Sequence, residues 1–291
     1  MDEKTIDPAV LIPDDEIFVR MNRAERWQHG LLVASFILLV VTGLPLMSGE
    51  VGVIRFVVGR GGAHALRGIF HRAAAVVLIA DLVWHALYTL LTERGRRNFR
   101  EKLPRLKDIK DVIATIGHNS DLSGFLRRRG LFRRFFERHA YWRFDRRPEF
   151  GRYSFVEKFE YWSLLWGSVV MILTGFFMWG PGLSLRLFPL RVHQVFVVIH
   201  GYEAILAFLA TIIWHMYTVH LNPEVFPMSR VWLDGGMSGA DLRRFHPLEY
   251  RRVLEERERL FRELIALEPG EGPPGLGRLE PGRQAPPKSV S

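Results

Sequence analysis

The sequence predicts an all-α integral membrane protein, a bundle of four spanning helices with a cytoplasmic loop and a C-terminal amphipathic helix. Of its 291 residues, 48% are hydrophobic, including eight Trp and 21 Phe. The apolar residues gather in four blocks, each close to or longer than the roughly 20 residues that cross a bilayer core of ~30 Å. These blocks are residues 28–46, 69–91, 159–179 and 192–219.

The distribution of positive charge predicts how the blocks are oriented. The N-terminal segment carries four Lys and Arg, the loop 93–154 eighteen and the segment from residue 221 eleven, whereas the two connections on the other side carry five. Because cytoplasmic loops are enriched in Lys and Arg, both termini are predicted to be cytoplasmic. The net charge of +9 is then mostly a topology signal, and no nucleic-acid partner is expected.

The same boundaries divide the chain into four segments. Residues 1–26 are a leader, predicted to be cytoplasmic and too acidic for a cleaved signal peptide. Residues 27–220 are the four-helix domain, including the loop 93–154, and the short glycine-rich connection after the first block predicts that the first two helices are antiparallel neighbours. Residues 221–267 are predicted to form a cytoplasmic helical extension, and the Pro/Gly-rich residues 268–291 a disordered tail.

Part of the loop has a composition of its own. Residues 122–144, LSGFLRRRGLFRRFFERHAYWRF, interleave Arg with aromatic residues. This pattern is typical of an interfacial helix whose cations meet anionic lipid, so membrane lipids are expected partners. A solvated basic loop is the alternative, and RNA binding is a more distant one.

The chain contains no cysteine. Disulfides, thiolate-ligated iron–sulfur clusters and the CxxCH attachment of c-type haem are therefore excluded. Histidine is the strong soft-metal ligand that remains, and there are eleven. Four of them fall outside the blocks and are expected at the surface: His64, His118, His139 and His246.

Histidines recur at two levels of the predicted bundle. His71 and His85 are fourteen residues apart in the second block, which separates them by ~21 Å on nearly one helix face. His200 and His215 repeat this arrangement in the fourth block, and His29 begins the first block at the level of His85 and His215. Two histidines from different helices at each level are what bis-imidazole ligation of a haem iron requires, so two haems b are predicted.

The pairing is defined at one level and open at the other. His71 pairs with His200 on the predicted periplasmic side, whereas His215 pairs with His29 or with His85 on the cytoplasmic side, and the extra histidine leaves room for a third haem. A single histidine in a membrane helix is more often a packing or proton-relay residue than a ligand. The matching depths favour ligation.

Two carboxylates and four arginines complete the candidate site. Asp81 lies one turn before His85, and Glu203 lies one turn after His200. Each carboxylate is a candidate proton acceptor for a quinone, and the alternative is a hydrogen bond that orients an imidazole. The arginines are candidate partners of haem propionates, namely Arg67 and Arg72 near one level and Arg23 and Arg26 near the other. Arg23 and Arg26 are equally explained as the positive flank of the first helix.

Five stretches together resemble the bacterial four-helix dihaem cytochrome b family, related to the membrane subunits of formate dehydrogenase, thiosulfate reductase and nickel–iron hydrogenase. They are RAERWQHGLLVASFILLVVTGLPL, HRAAAVVLIADLVWH, EKFEYWSLLWGSVVMILTGFFMWGP, IHGYEAILAFLATIIWHMY and FPMSRVWLDGG. The resemblance covers about residues 20–236 and is nearest to members associated with multihaem c-type cytochromes. It implies that His29 pairs with His215 and His71 with His200, and His85 is the departure from that pattern.

The resemblance also implies a function. A member of this family is a b-type cytochrome of the bacterial inner membrane, the electron-transfer subunit of a quinone-linked oxidoreductase complex. It exchanges electrons between menaquinone or ubiquinone and a periplasmic subunit, either a multihaem cytochrome c or an iron–sulfur or molybdopterin protein. The competing hypothesis is a haem-free membrane anchor or a proton-coupled transporter with a histidine relay. Four helices without an evident internal repeat or broken span fit a transporter poorly.

Overall fold

The computed structural model describes residues 7–47, 63–119 and 147–267, and helices dominate all three segments. The helices are α1 (Pro8–Leu11), α2 (Arg23–Met47), α3 (Ala63–Leu91), α4 (Glu93–Lys102), α5 (Leu106–Asn119), α6 (Phe155–Trp179), α7 (Pro181–Leu187), α8 (Leu190–Leu209), α9 (Val231–Asp234), α10 (Gly239–Phe245) and α11 (Pro247–Leu267). The fourth long helix continues beyond α8 in π-helical geometry over Ala210–His215 and Tyr217–Leu221. The interfacial helix expected over 122–144 and the tail 268–291 lie outside the described residues.

Four of these helices are long and apolar enough to cross a bilayer: Arg23–Pro45, Leu66–Leu91, Phe155–Trp179 and Leu190–Leu221. In each, at most 17% of the most apolar stretch is buried inside the protein. Their Leu, Ile, Val and Phe side chains therefore point outward, which in water would leave a very large apolar surface uncovered. The chain is a multi-pass membrane protein, and the predicted four-helix membrane bundle is confirmed.

The helices pack in two pairs. α2 lies along α3, and α6 lies along α8, with a further contact between α8 and α2. The expectation that the first two helices are neighbours is thus confirmed. α6 begins with a capping box, in which the Ser154 hydroxyl accepts from the backbone N–H of Glu157 and the Glu157 carboxylate accepts from the backbone N–H of Ser154. This cap fixes where the third spanning helix starts.

The leader, α4, α5 and the chain after the fourth spanning helix gather at one end of the bundle, called here the lower end. Strand β1 (Ile17–Val19) pairs antiparallel with β2 (Gly236–Ser238), which ties the leader to the C-terminal segment. Gly235, at φ 83°, ends α9 in the left-handed region, and its carbonyl accepts from the backbone N–H of Arg20 and of Met21. A residue with a side chain would be strained there, and its Cβ would lie 2.2 Å from the Met21 carbonyl oxygen.

A buried ionic cluster holds the C-terminal helix α11 to this end. The Glu249 carboxylate pairs with Arg20 at 2.9 Å and with Arg152 at 3.0 Å, and all three side chains are less than 10% exposed. His246, expected at the surface, is only 5% exposed, because its Nδ1 donates to the Gly151 carbonyl inside the same cluster. That expectation was wrong, since a histidine in a polar segment can still serve as the buried donor that joins two loops.

Candidate functional site

The upper level of the bundle is built on His71 of α3 and His200 of α8. Their ring centroids are 6.4 Å apart, with the ring planes inclined by 72° in an edge-on arrangement. Two imidazoles on opposite sides of one metal, each with a bond of about 2 Å, put their ring centres roughly 6 Å apart. The predicted pairing of these two residues therefore has the separation that axial ligation requires.

Threonines on the neighbouring helices define the orientation of both rings. The Thr42 hydroxyl donates to the Leu38 carbonyl at 2.6 Å, so its lone pair accepts from His71 Nδ1 at 3.0 Å. Thr174 repeats this arrangement, donating to the Val170 carbonyl at 2.7 Å and accepting from His200 Nδ1 at 2.9 Å. A proton held on Nδ1 leaves the Nε2 lone pair available to a metal, and such hydrogen bonds raise the basicity of the ligand.

Each of these threonines is followed by a glycine that makes room for the ring. A Cβ on Gly43 would lie 2.8 Å from His71 Cε1, and a Cβ on Gly175 would lie 3.1 Å from His200 Cε1. Both distances are shorter than ordinary carbon–carbon contacts of about 3.5–4.0 Å. The TG pairs thus combine a hydrogen-bond acceptor with the absence of a side chain, and both features act on the same imidazole.

The lower level brings together His29 of α2 and His215 of the fourth spanning helix, which are close enough to interact electrostatically. His215 Nδ1 donates to the Glu160 carboxylate at 3.1 Å, so its Nε2 is also left available. His29 packs against the Trp232 ring with centroids 6.2 Å apart, and its Nδ1 is buried without a partner among the described residues.

His85 lies at the same level but has both ring nitrogens occupied. Its Nδ1 lies 3.0 Å from the Gln28 amide oxygen, which can only accept, so Nδ1 carries the proton. Its Nε2 lies 3.1 Å from the Tyr161 hydroxyl, which then donates to it. The Lys102 ammonium stands 4.4 Å from the centre of the Tyr161 ring, and burial lowers the pKa of this lysine. Unlike the other four histidines, His85 has no nitrogen lone pair left for iron.

The two helix pairs carry corresponding residues at corresponding positions. The matches are Gln28 with Glu160, His29 with Tyr161, Thr42 with Thr174, Gly43 with Gly175, His71 with His200 and His85 with His215. On α2 and α6 every match is separated by 132 residues, whereas on the other two helices the separation changes from 129 to 130. The π-helical turn that begins at Ala210 accommodates this one extra residue. The statement that the sequence has no internal repeat was therefore wrong, because the repeat lies in a few polar positions within divergent apolar surroundings.

The remaining predicted residues fall around these histidines. Glu203 lies against α6, where the missing side chain of Gly167 admits its carboxylate oxygen at 2.8 Å from the position a Cβ would take. Asp81 is 5% exposed in α3, and its Oδ1 has no partner within the described part of the chain. The structure shows no hydrogen bond between either carboxylate and a histidine in its described segments.

The four arginines differ in their surroundings. The Arg72 guanidinium stacks 5.8 Å from the Trp179 ring, and Arg67 has a buried Nε without a partner among residues 7–47, 63–119 and 147–267. Arg26 donates to the Leu233 carbonyl, and its Nε is likewise buried and unpaired in these segments. Arg23 is exposed.

These residues fit a haem better than a metal ion bound by protein alone. Within the described residues no three His, Cys, Asp or Glu side chains converge on one point. Two imidazoles with available Nε2 atoms would hold a haem iron, whose remaining ligands the porphyrin would supply. The glycines leave space beside the rings, and the buried, unpaired Nε atoms of Arg26 and Arg67 would suit the propionates. The sequence reasoning missed Thr42, Thr174, Glu160 and Tyr161, although the two TG pairs were a usable signal.

Comparisons with known proteins identify the family of the chain. Residues 20–230 match the family model described as prokaryotic cytochrome b561. Over 251 residues the chain is 21% identical to the formate dehydrogenase cytochrome b556(fdo) subunit of Escherichia coli strain K12, a match that covers 84% of this chain and 97% of the relative. The subunits of the same description from E. coli O6:H1 and O157:H7 match to the same extent.

Proposed function

Because the chain belongs to the prokaryotic cytochrome b561 family, we propose that this b-type membrane cytochrome passes electrons through two stacked bis-histidine haems. The electrons would move between the quinone pool and a redox partner at the upper face. The family implies haem b and a role in electron transfer; the two haems, the quinone and the partner belong to the proposal. The chain would act as the electron-transfer subunit of a quinone-linked oxidoreductase complex.

The pair His71 and His200 is the observation that carries the proposal. Placing two imidazoles in the interior of a membrane bundle costs free energy, so such residues are candidates for a function. Here each Nδ1 is hydrogen-bonded to a threonine, which leaves the Nε2 lone pair available, and each ring lies against a glycine. A packing role accounts for the threonine contact, whereas ligation of one iron also accounts for the available Nε2 atoms and for the 6.4 Å between the two rings.

At the lower level the proposal selects His29 with His215. His215 keeps Nε2 available because Glu160 takes its Nδ1 proton, and His29 makes no hydrogen bond that would occupy its ring. His85 is assigned a different role, since Gln28 and Tyr161 engage both of its nitrogens. Two haems per chain follow from this assignment.

When bound, haem supplies the one-electron redox chemistry, and the chain supplies ligands, counter-charges and proton acceptors. Arg67 and Arg72 at the upper level, and Arg26 at the lower, are the cations proposed for the propionates. Exposed Arg23 remains explained by the positive flank. Oxidation of a quinol releases protons together with its electrons, so a quinone site beside either level needs a group that accepts them. Glu203 is proposed for the upper level and Asp81 for the lower level.

The placement in the cell is part of the proposal. The basic lower end, where both terminal segments meet, would face the cytoplasm of a bacterial inner membrane, in accordance with the excess of positive charge in those segments. The domain boundaries proposed from the sequence place this end in residues 1–26, 93–154 and 221–267. A periplasmic multihaem cytochrome c, or an iron–sulfur or molybdopterin subunit, would then dock at the upper face.

Haem content per purified chain tests the proposal. We expect about two haems b by pyridine haemochrome in the wild type. One should be lost in each of the variants His29→Ala, His71→Ala, His200→Ala and His215→Ala, whereas the matched variant His85→Ala should keep both. Loss at His85 but not at His29 would move the lower haem to α3 and the fourth helix. A folded, haem-free wild type would overturn the proposal and favour the anchor or transporter.

A further inference from the structure

The lower level differs from the upper level in the charge of the group that orients its ligand. His71 and His200 donate to neutral threonine hydroxyls, whereas His215 donates to the carboxylate of Glu160. The corresponding residue in the first half of the repeat is Gln28, a neutral amide, which makes the equivalent contact to His85. The two halves thus share the geometry of this hydrogen bond and differ in its charge.

Glu160 is held so that both of its oxygens are occupied. Oε2 accepts from His215 Nδ1 at 3.1 Å, and the Thr218 hydroxyl lies 3.0 Å from Oε1. Thr218 stands on the same turn as His215, so the carboxylate is fixed against the ring by two contacts from one helix. In the described residues no lysine or arginine forms an ion pair with it, so the charged partner found for this carboxylate there is the imidazole of His215.

We propose that Glu160 is a positioning residue that lowers the reduction potential of the lower haem. A carboxylate that accepts the Nδ1 proton makes the imidazole a stronger electron donor to iron through Nε2. The same negative charge favours the ferric state, which carries one more positive charge than the ferrous state. Both effects have the same sign, and the threonines of the upper level supply neither.

This asymmetry gives the two haems different potentials within one repeated framework. The inference rests on the proposed His29–His215 haem, and it goes beyond it by naming the side chain that distinguishes the two levels. Tyr161 follows Glu160 and occupies the position that His29 has in the first half of the repeat. The two halves therefore differ at two consecutive positions of this helix turn.

The variant Glu160→Gln tests the inference because glutamine keeps the size and the acceptor oxygen, as Gln28 does naturally. Redox potentiometry of the purified protein, followed in the haem absorbance bands, should show the lower-haem component shifted to a higher potential and the upper-haem component unchanged. The lower-haem component is identified as the one missing in His29→Ala. The low-spin ferric EPR signal of that haem should shift as well, since it reports the donor strength of the axial imidazole.

Two further variants separate this role from a general effect of charge or folding. Glu157→Gln removes a carboxylate one turn earlier on α6 while keeping a capping side chain, and we expect a smaller potential shift. Glu160→Asp keeps the charge on a shorter side chain and should restore part of the wild-type potential. Two haems with unchanged potentials and EPR signal in Glu160→Gln would overturn the inference, as would an equal shift in Glu157→Gln. Fewer than two haems in the wild type would instead count against the proposed function.

Discussion

The substitution Gly43→Ala is the sharpest test of where the upper haem ligand stands. The added methyl would lie 2.8 Å from His71 Cε1 and 3.3 Å from its Nδ1. Carbon atoms pack at about 3.5–4.0 Å, so the ring would have to move by roughly 0.7–1.2 Å. It cannot do so freely, because Nδ1 is hydrogen-bonded to Thr42, the residue immediately before the glycine. Overpacking of this kind costs about 1–3 kcal/mol.

This cost should appear as loss of haem. Because about 1.4 kcal/mol corresponds to a tenfold change in an equilibrium constant, the affinity for the upper haem should fall roughly ten- to hundredfold. Gly175→Ala should show a smaller loss, since its methyl would approach His200 to 3.1 Å. The assay is pyridine haemochrome per chain after dilution or a competing haem acceptor.

Gly30→Ala is the matched control for both variants. Nothing lies within 4 Å of the Cβ it would add, and alanine favours a helix over glycine by about 1 kcal/mol. We therefore expect unchanged haem content and equal or greater stability in this variant. If Gly43→Ala retains both haems as firmly as Gly30→Ala does, then the His71 ring does not lie against Gly43 in the haem-bound protein. That result would refute the assignment of this contact to the upper haem site.

Three further outcomes follow. Thr174→Val removes the hydroxyl that accepts from the Nδ1–H of His200, a hydrogen bond worth about 0.5–1.5 kcal/mol. Haem retention at the upper level should therefore weaken up to about tenfold in the dilution assay; undiminished retention would argue against the threonine. Glu249→Ala removes the carboxylate shared by two buried cations and leaves Arg20 only its longer ion pair with Glu157, at 3.6 Å. It should destabilise the lower end by about 3–5 kcal/mol in thermal unfolding, unlike exposed Glu256→Ala. Burial lowers the pKa of His246 below its ordinary 6.5. The unfolded state then binds more protons, so stability should fall as the pH drops below about 6.5, and His246→Asn should flatten this profile.

The sequence predicted the spanning helices because their apolar length is set by the bilayer, and the ends were less well defined. The third block was expected from residue 159, yet α6 begins at Phe155. Its first turn contains the charged Glu157 and Lys158 and is started by the Ser154–Glu157 capping box, which hydropathy does not detect. In the fourth helix the π-helical turn at Ala210 could not be predicted, because α-helical spacing was assumed throughout. That turn explains why His200 and His215 are fifteen residues apart and His71 and His85 only fourteen.

The candidate ligands were predictable from spacing alone, whereas the residues that define their chemistry were not. Spacing places a histidine at a depth, but it does not say whether its nitrogens are available. The hydrogen-bond partners come from other helices, 26 residues away for Thr174 and His200 and 55 residues away for Glu160 and His215. Only a folded bundle brings them together. For the same reason spacing left both His29 and His85 open as partners of His215, and only the family resemblance favoured His29.

The repeat supports the proposal of a single haem at the lower level, although a two-fold arrangement would provide two sites there. His29 opposite His215 in one half corresponds to Tyr161 opposite His85 in the other. In the second half a phenol stands in place of an imidazole, and it donates its proton to the nitrogen that iron would need. At the upper level the two halves contribute one histidine each to a single shared site, so the repeat is preserved there. A third haem would need a second ligand opposite His85, and the group in that position is already hydrogen-bonded to it, which is why we expect two haems and not three.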